Sequence, residues 1–476
     1  MQSPNPEKIQ YSRISRRQFL NTAGTAATFS ILPRHVLGGQ GYTPPSERLN
    51  IAMIGTGGQG LRNLRNLVKE KDVQIVALSD TAEIADYSYQ ELRFKGGRLP
   101  GYNVVKAHYE ETEESKRTLQ CGVYVDFREM LDKEKDVDAV VVSCPTFTHY
   151  IAAMDAIGRG KHVYLEKPMA KTLYEVRKLT EAARRAGVVT QLGHQGHGKE
   201  SLRLTKEWIQ AGVIGDVIEV HAWADEPDLA GTQPLPQGSP PVPKGLDWDF
   251  WQGPVKRREY QPVYTPKGWN DFHAYGTSRL PDLGSHHMDP AFYALELGRP
   301  EWVEARSAWA DKTKNPLTAH VHFQFSARGN QPPVRLTWWE GSKPIRPDEM
   351  EPGKDLSGGP HGILFIGDKG KIMCPGWAGT PTVLPRERWK SFKRPEKTIR
   401  RVRGIYRDWI DSIKEGRKAS SDWVEYSGQF SESILAGELA MRVEGRCYMD
   451  WENLKVKNFP EAESLIIPEY HNGWKL

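Results

Sequence analysis

The chain has 476 residues, 38% hydrophobic and 26% charged, enough for two or three domains with a substantial core and too apolar for a disordered chain. No apolar run approaches the roughly eighteen residues a membrane span requires, which excludes a polytopic membrane protein. Most of the formal charge of +5 belongs to the first forty residues, with five Lys or Arg against one Glu; the remainder, at 60 basic and 59 acidic residues, offers no electrostatic footprint for nucleic acid.

In chain order, Ser15-Arg16-Arg17-Gln18-Phe19-Leu20 precedes a mildly apolar stretch, Thr22 to Leu32. Paired arginines before a weakly apolar segment resemble a twin-arginine export signal, so residues 1–46, closed by Pro44-Pro45, stand apart from the fold, and a periplasmic location is expected. A β-branched run, Leu49 to Ile54, leads into Gly55-Thr56-Gly57-Gly58-Gln59-Gly60 and then into apolar residues at helical spacing from Leu61 to Val68. Strand, G-x-G-x-x-G and helix together form a dinucleotide cradle: Gly55 turns the chain, Gly57 removes a Cβ from the phosphates, and Gly60 brings helix and strand close.

The second strand, Val73 to Leu78, ends in Ser79-Asp80. A carboxylate twenty residues past Gly60 can accept both ribose hydroxyls of NAD and repels a 2′-phosphate, and no Arg or Lys follows closely. NAD, tightly bound, is therefore favoured over NADP; the plainer role for Asp80 is a helix N-cap. Cys121, Cys144, Cys374 and Cys447 are widely spaced without a C-x-x-C pair, so neither a disulfide framework nor a zinc site is indicated.

A third strand, Ala139 to Val142, ends in Ser143-Cys144-Pro145-Thr146-Phe147-Thr148-His149, and after a helix from Tyr150 to Gly158 comes His162-Val163-Tyr164-Leu165-Glu166-Lys167-Pro168. The order and spacing of these motifs resemble the glucose–fructose oxidoreductase/inositol dehydrogenase/rhizopine catabolism (Gfo/Idh/MocA) family from about Leu49 to Asp450. The resemblance implies an α/β chain: a Rossmann dinucleotide-binding domain over 47–193, then an α+β domain over 194–476 with a large, mostly antiparallel sheet and a helix at 426–442 packing back on the first domain. It places Pro145, His149 and Glu166 at the cofactor and Lys167 beside nicotinamide and substrate. Pro168 allows a cis turn at the strand end.

Beyond residue 193 the composition changes, and all fifteen tryptophans lie at or after Trp208. Val217 to Trp223, His320 to Phe325 and Val334 to Trp339 alternate as strands do. The aromatic loops Trp248 to Pro254 and Trp269 to His273 resemble those of sugar-related family members, with Trp269 a candidate to stack on a pyranose. Asp282-Leu283-Gly284-Ser285-His286 matches the family's D-x-x-x-H pair, in which the histidine is the base for the substrate hydroxyl and the aspartate assists; four-residue spacing puts both on one helical face, in a helix read as continuing from Pro290 to Leu297. Two roles are open to Asp289, orienting an imidazole or capping the helix. His194 and His197, with His286 and His287, lack metal-ligand spacing, so no metal is expected.

The resemblance implies NAD-dependent oxidation of a secondary hydroxyl on a sugar, glycoside or polyol by a homo-oligomer, dimer or tetramer. The alternatives are a redox-neutral, NAD-dependent glycosidase or lyase acting through a keto-sugar, and a nucleotide-binding protein without turnover.

Overall fold

The structure, a computed structural model, describes residues 47–88, 93–111, 121–226, 232, 237–266, 268–350, 356, 359–385, 387 and 391–475. The arginine pair at 16–17 lies outside the described residues. No helix among the described residues is long and apolar enough to cross a membrane.

The apolar run Leu49–Ile54 becomes β1, buried along almost its whole length, as a central strand covered on both faces must be. It pairs in parallel with β2 (Val73–Ser79) on one side and β6 (Ala139–Val142) on the other. With β5 (Gly122–Tyr124), β7 (His162–Glu166) and β8 (Thr190–Gly193) they form a six-stranded parallel sheet in the order β5-β2-β1-β6-β7-β8. A small hairpin, β3 (Ala85–Asp86) with β4 (Lys95–Gly96), follows β2. The connecting helices are α1 (Gly58–Leu67), α2 (Arg98–Glu111), α3 (Phe127–Lys133), α4 (Thr146–Gly158) and α5 (Leu173–Ala186). The chain winds outward from β1 and returns on its other side at β6, so a crevice opens at the carboxyl ends of these strands. Gly55, Asp80, Cys144 and Lys167 all follow strand ends on that edge.

After α6 (Glu200–Gln210), β9 (Val217–Ala224) enters a second sheet of nine strands. Its other members are β10 (Trp302–Ala308), β11 (Thr318–Phe325), β12 (Val334–Glu340), β13 (His361–Gly367), β14 (Gly370–Pro375), β15 (Thr382–Leu384), β16 (Arg446–Asp450) and β17 (Lys455–Val456), in the order β15-β14-β13-β9-β12-β11-β10-β16-β17. Only β9 and β12 run parallel. Strand β11 buries Ala319, Val321, Phe323 and Phe325 alternately, the period-two signature that turns one face to a core.

Between β9 and β10 lie α7 (Trp248–Trp251), α8 (Arg279–His287) and α9 (Asp289–Leu295). The single helix read from the sequence is broken at Met288: Pro290 has no N–H to donate back to His286, and α9 starts afresh with proline in its first turn. Two further helices, α10 (Ile405–Glu415) and α11 (Gly428–Val443), complete the site's framework. A π-helical turn, Trp423–Ser427, precedes α11. Arg177 of α5 pairs with Glu432 of α11 at 2.6 Å, and a Cβ on Gly428 would stand 2.5 Å from Thr180 Oγ1, so α11 lies closely against α5. Trp248 and Trp251 stack at 4.7 Å within a buried cluster containing Phe147, Tyr264 and Tyr275; their main role is packing.

Candidate active site

One cavity of about 510 Å³ runs from the glycine loop to α8, bordered by Gly58, Pro145, Lys167, Trp269, His286 and Trp377. At its nucleotide end Gly55 has φ +85°, and a Cβ there would lie 2.6 Å from Cys144 N; only glycine takes this left-handed turn against a neighbouring backbone. A Cβ on Gly60 would meet Gly55 O at 2.1 Å, which explains the third glycine. At Gly57 the space of a Cβ is taken by the Tyr87 hydroxyl, the far end of a rotatable side chain. Gln59 donates to Asn63 Oδ1 at 2.9 Å.

Asp80 accepts from Thr56 N at 2.8 Å and from Ala82 N at 2.9 Å, so it ties the glycine loop to the end of β2 and caps no helix. Burial raises its pKa against these two amides. No Arg or Lys directly follows Asp80 in the sequence, but Arg98, eighteen residues downstream, folds back to donate to the Asp80 backbone carbonyl at 2.7 Å.

At the middle of the cavity His149 sits within 2.9 Å of both Pro168 O and Cys144 O. It stitches the β6 turn to the Lys167–Pro168 peptide, which is cis; both ring nitrogens face backbone carbonyls, and the residue also lines the cavity. Burial, more than any other cause, holds its pKa down to about 4. Glu166 accepts from Asn63 Nδ2 at 2.9 Å and from Gln195 Nε2 at 3.1 Å, and burial pushes its pKa up to about 7.

At the far end the Lys167 ammonium is paired with Asp282 Oδ1, and Asn270 Nδ2 lies 3.5 Å from the other oxygen. His286, one turn along α8, is buried and borders the cavity, yet its imidazole has no hydrogen-bond partner among the described residues, with Nδ1 fully enclosed. Burial, then the Lys167 charge, drives its pKa well below the usual histidine range. Asp282 is thus the partner of the lysine; the expected assistance to His286 is indirect. Trp269 lines the cavity edge-on to Phe147 at 6.2 Å.

The remaining histidines divide differently from the sequence grouping. His287 turns toward His361 and Trp377, each 4.9 Å away between ring centroids. His194 Nε2 and His197 Nδ1 approach Asp289 Oδ1 at 3.2 and 3.0 Å, and Tyr426 donates to the same oxygen at 2.6 Å. The other imidazole nitrogens reach Leu192 O at 3.2 Å and Ser420 O at 3.0 Å. The three candidate ligand atoms lie within 4.8 Å of one another, forming a buried polar clasp between the end of β8 and the start of α9.

Residues 49–194 match the oxidoreductase family's NAD-binding Rossmann fold, and residues 221–315 match the Gfo/Idh/MocA C-terminal alpha/beta domain. Together these spans exceed half of the chain. The chain belongs to the Gfo/Idh/MocA oxidoreductase family. A protein named glycosyl hydrolase family 109 protein 1 from Shewanella sp. (strain ANA-3) is 24% identical over 227 residues, 44% of this chain and 45% of that protein. The scyllo-inositol 2-dehydrogenase (NADP(+)) of Bacillus subtilis (strain 168) is 26% identical over 207 residues, 44% of this chain and 48% of that enzyme. The chain therefore spans a little under half the length of these curated relatives. The solved structure of GenD2 from gentamicin A biosynthesis, in complex with NAD, superposes with a TM-score of 0.55 at 17% identity, covering 85% of this chain and 97% of that one, which establishes a shared fold.

Within this family framework, four polar residues not read from the sequence hydrogen-bond to the site's acidic residues. Asn63 bridges Ser143 Oγ at 3.0 Å and Glu166, while Tyr406 of α10 donates to Asn63 Oδ1 at 2.7 Å. Gln195, Arg98 and Asn270 complete the set. Asn63 alone had a readable signal, since it lies on the face of α1 that follows the glycine loop; the other three reach the site through tertiary folding.

Proposed function

We propose that this protein oxidises a secondary hydroxyl of a sugar, glycoside or polyol with NAD. One observation carries the reading: the Lys167–Asp282 pair and an unpartnered, buried His286 border the same cavity as the Gly55–Gly60 loop. The glycine cradle at Gly55 and Gly57 fits a diphosphate, with Tyr87 turned aside, and Asp80 faces the ribose end. NAD, when bound, supplies the hydride acceptor. His286, neutral at physiological pH, takes the hydroxyl proton at a ring nitrogen, while the Lys167 Nζ hydrogen-bonds the substrate oxygen and stabilises the charge that grows there. Asp282 and Asn270 fix the lysine. Loss of one C–H hydride and one O–H proton turns the carbinol into a ketone and balances reduction of the nucleotide. Asp80 supports NAD even though the Bacillus relative is named for NADP(+).

A redox-neutral reading, with a transient ketone at one ring carbon, elimination of the aglycone, addition of water and return of the hydride, is favoured by the relative named glycosyl hydrolase family 109 protein 1. The twin-arginine motif at Ser15 to Leu20 supports export and hence a nucleotide retained and recycled in place. We extend the proposal to a homo-oligomer, dimer or tetramer, on the family resemblance alone. Incubation with a sugar and glycoside panel, with and without added NAD, tests both: NADH accumulation supports the dehydrogenase, aglycone release without NADH supports the glycosidase, and the absence of both products contradicts the proposal.

A further inference from the structure

The loop between β14 and β15 carries a second aromatic group into the substrate end of the cavity. Trp377 and Ala378 are consecutive non-glycine residues in left-handed backbone, at φ +54° and +51°, a conformation that L side chains rarely adopt. The surroundings impose it. Lys199 Nζ donates to Trp377 O at 2.7 Å, Ser201 Oγ donates to Ala378 O, and Trp377 N donates to His287 Nδ1 at 3.3 Å. Gly379 N closes the turn on Pro375 O at 2.9 Å. A Cβ on Gly196 would stand 3.0 Å from Trp377 O, so the turn after β8 is itself shaped to this loop.

The result of this bracing is an indole left 36% exposed, whereas Trp338 and Trp423 are fully buried. Its ring lies 6.0 Å from His286 and meets His287 and His361 edge-on, each at 4.9 Å between centroids. Local strain held by several independent contacts gathers at ligand sites, and here it holds a partly exposed indole in the cavity lining beside the proposed base.

We propose that Trp377 is the platform for a six-membered polyol ring, a pyranoside or cyclitol bearing equatorial hydroxyls; the inference rests on the sugar-oxidoreductase reading. In such a ring the axial C–H bonds make each face apolar and slightly positive, the complement of an indole face. The equatorial hydroxyls stand at the rim, so a ring lying on Trp377 offers them to His286 and Lys167 and keeps its opposite face open for removal of an axial hydride. An acyclic polyol has no rigid face of this kind.

Calorimetric Kd values are compared for methyl β-glucopyranoside, scyllo-inositol and acyclic sorbitol on NAD-loaded wild type and on Trp377→Ala, Trp377→Leu and Trp377→Phe, together with KM wherever turnover occurs. The Ala and Leu variants should weaken ring-ligand binding by about tenfold or more, raise KM by more than they lower kcat, leave NAD affinity unchanged and spare sorbitol; Phe should restore most of the loss. Ring ligands that bind only through Trp377 but are never oxidised uphold the platform and overturn the activity. Turnover with a Trp377→Ala affinity equal to wild type, an equal loss for sorbitol, or no ring-ligand binding at all overturns the platform.

Discussion

The two ends of the cavity are built from different materials. At the nucleotide end the geometry is set by backbone and by missing side chains: Gly55 in left-handed conformation, Gly60 in contact with Gly55 O, and a carboxylate held by two amides. At the substrate end it is set by side chains from distant segments: Lys167 after β7, Asn270 in the short 3₁₀ helix Gly268–Asp271, Asp282 and His286 on α8, and Trp377 between β14 and β15. A backbone cradle recognises a part common to every NAD molecule, whereas a side-chain constellation can be exchanged one residue at a time to change the alcohol. Substitutions at the two ends should therefore have separable effects.

The largest expected separation is at Lys167 and His286. Lys167→Ala or His286→Ala should lower kcat by about two to four orders of magnitude and leave the NAD Kd near wild type; a parallel loss of NAD affinity would show that the two ends are one inseparable unit. At the opposite end, Asp80 should disfavour the 2′-phosphate of NADP by several kcal/mol, about a hundredfold or more, despite Arg98 alongside. Asp80→Ser should erase most of that preference in competitive binding and leave kcat with saturating nucleotide nearly unchanged.

This difference in construction also explains what could be read in advance. The motifs at Gly55 to Gly60, Asp80, Ser143 to His149 and Glu166-Lys167 are contiguous, and each falls at a strand end on the same sheet edge. Local sequence is enough when the geometry is made by a strand, a turn and a helix start. Strand alternation likewise indicated the second sheet, but not its order, because a pairing such as β9 with β12 joins residues more than a hundred positions apart. Asn270, Gln195 and Arg98 have no motif of their own and act through partners supplied by the fold. Trp377 was indistinguishable from fourteen other tryptophans until its loop showed two left-handed residues. Asp282 and His286 match the family's D-x-x-x-H pair and share a helical face, but a motif on one element cannot reveal that the lysine following β7 takes the carboxylate.

Glu166 lies between the two ends and gives a pH-dependent test. The folded protein keeps its proton up to about pH 7, whereas an unfolded chain releases it near the ordinary carboxylate pKa of about 4.3. The folded state binds more protons in that window, so this contribution to stability is complete below it and is lost as pH rises through 7. Glu166→Gln, which does not titrate, should gain stability relative to wild type between pH 4.5 and 7, by at most about 3 kcal/mol, in denaturant unfolding. A pH-independent difference would place Glu166 in an ordinary, solvated environment.

The smallest effect is expected where the C-terminal segment meets the cavity and side chains supplement the backbone. Trp474 from the C-terminal segment lines the cavity, stacks on Phe127 at 6.1 Å and lies under Arg128 at 4.5 Å. Asn472 anchors this segment to Gly253 O at 2.9 Å. Trp474→Ala should raise the NAD Kd by about three- to tenfold and speed nucleotide release in stopped-flow fluorescence, with KM for the alcohol unchanged; no change in release would assign Trp474 to packing alone.

Hydride transfer at the shared cavity is tested most directly with a substrate deuterated at the carbinol carbon, mixed with NAD-loaded protein, followed by mass analysis of nucleotide and product. Wild type should place the deuterium on the nicotinamide, or return it to carbon in a redox-neutral cycle, and Lys167→Ala and His286→Ala should bind NAD while transferring the label at least a hundredfold more slowly. Product formed with the deuterium lost directly to water, or label transferred at the wild-type rate by either variant, would contradict the account.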